Sequence, residues 1–147
     1  MSIRDQINTD LKQAMRSQEK QTVITIRSIT AAIKQIEVDE RIEVKEDRLL
    51  EILTKLAKQR NESITQFKAA DRQDLVEKEM FELEIIKQYL PAPLTDEAVS
   101  VMVNDSIAAL SASSMQDMGS VMADLKPKLQ GRADMSKVSK LIKEKLN

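Results

Sequence analysis

The chain has 147 residues, enough for one ordinary domain or two small ones, and its formal net charge of -1 excludes a general electrostatic pull toward nucleic acid or membranes. It has neither cysteine nor histidine, which removes disulfides, thiolate nucleophiles, structural zinc and the commonest general base. Hydrophobic residues make up 41% and aromatics only 2%, so the core must be aliphatic.

Two glycines, three prolines and long runs of Glu, Lys, Gln, Leu and Ala predict an all-α fold. Ser2 and Asp5 resemble a capping box, followed at helical spacing by Ile3, Ile7, Leu11 and Met15. A second helix is expected from about Glu19 to Asp39, carrying Val23, Ile26, Ile29, Ile33 and Ile36. The polar stretch DERIEVKED reads as a connection. A third helix then carries Leu49, Leu53, Leu56, Ile64 and Phe67. The pattern weakens near Asp71, where a turn is expected, and a fourth helix runs from about Arg72 to Tyr89. Glu51 with Lys55 and Asp74 with Lys78 are helix-spaced pairs, worth about 0.2–0.5 kcal/mol each.

YLPAPLTDEA is the strongest boundary. Pro91 and Pro93 stop the fourth helix, and Thr95 is a candidate N-cap with Asp96 and Glu97 behind it. Leu94 and Val99 are placed for a hydrophobic staple. The chain therefore divides into an N-terminal helical domain, residues 1–92, and a small C-terminal helical domain, residues 93–147. A fifth helix carries Val99, Met102, Val103, Ile107 and Leu110 and ends at SASS. Ser114 with Asp117 opens a short sixth helix, whose apolar face holds Met115, Met118, Val121, Met122 and Leu125.

Both glycines lie in this region. Gly119 flanks the sixth helix's apolar face, where a glycine costs about 1 kcal/mol relative to alanine. Close approach of another backbone, within the chain or from a partner, would compensate. Lys126 before Pro127 ends the helix near Leu125, and Gly131 suits a left-handed position in the reversal that follows. Asp134 caps the last helix, with Val138, Leu141, Ile142 and Leu146 facing inward. Lys137, Lys140 and Lys143 fall on its opposite face, and Lys126, Lys128 and Arg132 feed into it. Such a face either meets phosphates or is solvated surface. Poor aromatic content argues against stacking on single-stranded RNA but not against backbone contacts to folded RNA.

The C-terminal stretches DMGSVM, GRAD and KVSKLIKEKL, with KQRNES, DRQDL and YLP earlier, resemble the GatB/YqeY family along essentially the whole chain. The C-terminal part is similar to the tail domain of the B subunit of aspartyl/glutamyl-tRNA amidotransferase, here in stand-alone YqeY-like form. Ser120 stands where the family often has lysine, and Asp71 where it often has glycine. The resemblance implies an N-terminal helical domain plus a tail-like domain associated with holding tRNA. It also brings a family label, carbon–nitrogen ligase with glutamine as amido donor.

No chemistry for that label is visible. There is no thiol, no glycine-rich serine site and no phosphate-binding loop. No catalytic residue, metal or cofactor is expected. Arg60, Arg72, Asp74, Glu79 and Glu82 lie within the motifs as either a charged site or interhelical ion pairs. The leading expectation is a noncatalytic tRNA-associated accessory protein. Its partners would be tRNA and an amidotransferase or other translation-related protein, without DNA or membrane. The alternative is a helical protein-interaction module that touches no RNA. The N-terminus MSIRDQINTD lacks an apolar leader region and no stretch approaches the roughly 20 apolar residues of a membrane span, so a cytoplasmic location is expected.

Overall fold

The structure, a computed structural model, describes residues 1–147. It is all-α: α1 (Ile3–Arg16), α2 (Lys20–Glu40), α3 (Glu46–Ala69), α4 (Gln73–Lys87), α5 (Asp96–Ala109), a 3-10 turn (Met115–Asp117), α6 (Met118–Leu129) and α7 (Met135–Leu146). No helix is long and apolar enough to cross a membrane. The helices form two compact units, Met1–Pro91 and Ala92–Asn147.

In the first unit, Ser2 caps α1 through its hydroxyl, which accepts from the Asp5 N–H, while Asp5 reaches back to the Ser2 N–H. Ile7, Ile26, Ile29, Leu49, Leu53 and Ile86 are fully enclosed and form the centre of its core. The connection after α2 is more than a polar link. Arg41 turns left-handed at φ 54, and Val44 then folds back to 4% exposure. Glu37 holds this loop. Arg4 donates to both of its oxygens, at 2.7 and 2.9 Å, and the Val44 N–H donates to one of them at 3.0 Å. These bonds, Arg4 first and the Val44 amide second, lower the Glu37 carboxyl from 4.5 to about 2.

α3 and α4 form a helical hairpin whose turn passes through Asp71 at φ 55. Aspartate tolerates this left-handed conformation better than most side chains. Gln18 and Ser111 also sit at positive φ, so four of the reversals between helices use a left-handed residue other than glycine. Asp74 is held by Arg72, two residues earlier, through two bonds of 3.0 and 3.1 Å.

The second unit packs α5, α6 and α7 around Val103, Val121, Leu125, Leu129, Val138 and Ile142. Thr95 caps α5 by accepting from the Ala98 N–H. Leu110, expected on the buried stripe of the fifth helix, is 45% exposed because α5 ends at Ala109 and Ser111 turns left-handed at φ 52. Ser106 is buried instead, and donates to the Asp124 carboxylate at 2.6 Å.

Three expectations for the sixth helix need correction. Ser114 and Asp117 do form a capping box, but on a 3-10 turn, and the α-helix starts only at Met118. The helix does not end near Leu125; it runs through Pro127 to Leu129. Pro127 cannot donate to the Ala123 carbonyl, but both residues are exposed, so water can satisfy that oxygen. Burial of Leu129 on the same stripe as Val121 and Leu125 holds the last turn. Lastly, Gly119 is not at a close helix crossing: a Cβ built there meets nothing within 4 Å. The buried stripe centres on Val121, Leu125 and Leu129, which puts Gly119 about 120° away from it.

Candidate nucleic-acid interface

The last helix is set by the turn before it. Gly131 adopts φ 78, a conformation a β-branched residue resists. The Leu94 N–H donates to the Arg132 carbonyl at 2.9 Å and ties this turn to the start of the unit. Asp134 then caps α7 by accepting from the Ser136 N–H at 2.9 Å. Val138, Ile142 and Leu146 point into the core. Helical geometry therefore turns Lys137, Lys140 and Lys143 outward, and all three are exposed.

The six basic residues singled out in the sequence are not equivalent. Lys137, Lys140 and Lys143 make no ion pair or hydrogen bond within the chain. Lys128 lies 3.3 Å from Asp124, whose carboxyl is held below its usual range by the Ser106 hydroxyl first and by Lys128 after burial is offset. Arg132 is half-buried, with its Nε 3.5 Å from the Ala92 carbonyl. Lys126 is exposed in the last turn of α6. Among these six, the three without a partner all lie on α7.

The five polar residues of the N-terminal motifs do not come together. Arg60 on α3 meets Glu82 at 2.8 Å and Glu79 at 3.6 Å, both on α4, with all three side chains at most 20% exposed. The carboxylates lie close to Arg60 Nε but off its N–H direction, so the cluster is held by charge more than by directed bonds. It sits on the α3–α4 packing face. Arg72 and Asp74 form a separate pair at the start of α4, more than half exposed, in which each strengthens the other's charged form through their hydrogen bonds.

One feature escaped the sequence reading. Tyr89, the only tyrosine, is buried and donates its hydroxyl to Asp10 at 2.6 Å across 79 positions of sequence. Burial, and then the Asp10 carboxylate, push the phenol pKa upward. The available signal was the isolated tyrosine itself, since a buried phenol normally needs a polar partner.

A family model described as Yqey-like protein matches residues 4–146. The chain belongs to the YqeY-like family. It is also similar to a protein of Pyrenophora tritici-repentis named Altered inheritance of mitochondria protein 41, mitochondrial, at 33% identity over 94% of this chain and 77% of the relative. Proteins of the same name from Eremothecium gossypii and Lachancea thermotolerans are 40% and 39% identical. Those matches cover 58% and 63% of this chain, which spans about half of each relative, 48% and 50%. These names overturn the expectation of a cytoplasmic location, because the relatives are called mitochondrial. That expectation rested on the polar N-terminus and the lack of an apolar span, and neither property distinguishes one aqueous compartment from another.

Proposed function

We propose that this protein is a noncatalytic accessory protein that holds a folded RNA, tRNA in the leading form, against α7. The observation that carries the reading is the exposed, unpaired row Lys137, Lys140 and Lys143, opposite the buried Val138–Ile142–Leu146 stripe. Such a row can neutralise phosphates along one strand without reading bases. Lys126, Lys128 and Arg132 are second-rank contacts, because Lys128 and Arg132 already have partners. The similarity of DMGSVM, GRAD and the last helix to the amidotransferase tail domain supports the choice of tRNA and of a translation-related protein partner. Ser106, the buried serine of the unit, donates its hydroxyl to Asp124, a bond that joins α5 to α6 within the packing. In this reading the amidotransferase label is inherited by association.

Gel shifts with total tRNA across a salt series test the reading. Binding should weaken steeply with salt, and reversing Lys137, Lys140 and Lys143 to Glu should reduce the salt slope by about two to three. Unchanged binding by the triple variant, or no binding by the wild type at low salt, would leave the protein-interaction module as the better account.

A further inference from the structure

A cleft of about 390 Å3 opens in the first unit among residues of α1, α2 and α4. Its volume lies at the lower end of the range for ligand sites. Its floor is apolar, made by the buried Ala14, Ile26 and Ile85, with Phe81 partly exposed beside them. Its charged groups are all carboxylates: Asp10, Glu19 and Glu84. No lysine or arginine lines it. The second cleft of this unit, about 410 Å3 and lined from α2 and α3, differs because Arg48 there already binds Glu51 at 2.8 Å, and Lys55 adds a second cation.

Asp10 is held ready to accept more donors. Its Oδ1 accepts from the Gln6 side-chain amide at 2.8 Å, and its Oδ2 from the Tyr89 hydroxyl at 2.6 Å. An ionised carboxylate offers about four acceptor positions, so about two remain. Neither Asp10 nor Glu19 has an ion-pair partner, and Glu84 reaches only Lys87, at 3.8 Å. An apolar floor beneath an oriented, uncompensated carboxylate suits a side chain with an aliphatic stem and a cationic head.

We propose that this cleft docks a lysine- or arginine-bearing segment of a protein partner. The stem lies along Ala14, Ile26 and Ile85, the cationic head meets Asp10, and Glu19 and Glu84 attract the segment from the rim. The sign of the charge separates this surface from α7: a phosphate-bearing partner is repelled here, and a basic one is attracted.

The test uses the full chain. Tyr89 is its only tyrosine and it has no tryptophan, so intrinsic ultraviolet emission reports on this cleft. A short alanine–lysine helical peptide should change that emission saturably at low salt, and an alanine–glutamate counterpart should not. Asp10→Asn should weaken peptide binding by about tenfold. Glu19→Gln should weaken it less while leaving the melting temperature unchanged, since Glu19 is exposed and makes no side-chain capping bond. If Asp10→Asn perturbs the fold, the Glu19→Gln/Glu84→Gln double variant decides, because both residues are exposed. A silent Tyr89 signal, or undiminished binding by that double variant, overturns the proposal. Spermidine binding as tightly as the peptide also overturns it, because the cleft would then be a small-amine site.

Discussion

The two units hold themselves together differently. The first is crossed by charged side-chain contacts between residues distant in sequence: Arg4 with Glu37, Arg60 with Glu82, and Tyr89 with the Asp10 carboxylate. The second has an aliphatic core, local caps, the Ser106–Asp124 bond and a backbone bond from Leu94 to Arg132. Its lysines are left outside the packing, whereas several carboxylates of the first unit are built into it. Glu37, the most strongly lowered carboxyl, lies in the first unit, so acid should act most on that unit's framework and less on the second through Asp124; core truncation should act most plainly on the second.

The largest expected effect tests the second half of that contrast. Leu125→Ala should destabilise the second unit by about 2–5 kcal/mol, since Leu125 is fully buried. Hydrogen exchange should show protection falling across residues 92–147 and persisting in α1 to α4. Equal loss in both units would break the comparison. Gly131→Val should cost about 1–3 kcal/mol through strain at φ 78, read by chemical denaturation.

Acid sharpens the first half. The Glu37 carboxyl, lowered from 4.5 to about 2, contributes stability fully above pH 4.5. That contribution is lost as the pH falls from 4.5 through about 2, where Glu37 takes up its proton. Thermal melts over this window should show Arg4→Met already destabilised at neutral pH and less sensitive to further acid than the wild type. A wild-type pH dependence retained in full by Arg4→Met would remove Glu37 from the account.

Smaller effects belong to the exposed positions. Gly119→Ala should stabilise by about 0.5–1 kcal/mol, because the added Cβ meets nothing and glycine disfavours the helix. Reversing Lys137, Lys140 and Lys143 to Glu should change the melting temperature least. A glutamate is favourable near the start of α7 and unfavourable near its end, so the helix-dipole effects of Lys137 and Lys143 oppose each other.

The all-α class and most helix starts were legible because caps and apolar spacing act locally. Ser2, Thr95 and Asp134 each sit one residue before a helix and bond into its first turn. The outward placement of Lys137, Lys140 and Lys143 followed from the same periodicity. What failed depended on packing between distant segments. Pro127 predicts a stop, yet the burial of Leu129 carries the helix past it. A stripe beginning at Met115 places Gly119 on its flank, but the 3-10 turn changes the residue spacing before α6 begins. Val44 looked like part of a polar linker because its anchor, Glu37, lies back in α2. The acidic cleft needed Asp10 and Tyr89 to be brought together, which no local pattern encodes.

Gln18, Arg41, Asp71 and Ser111 have a consequence for the unfolded chain. Glycine at these four turns would relieve left-handed strain, but it would also give the denatured ensemble more backbone conformations to lose on folding. By keeping side chains at these corners, the sequence accepts native-state strain and limits the disorder of its unfolded form. Replacing any of the four with glycine therefore sets two opposing terms against each other, and the net change in stability should be smaller than the strain alone suggests.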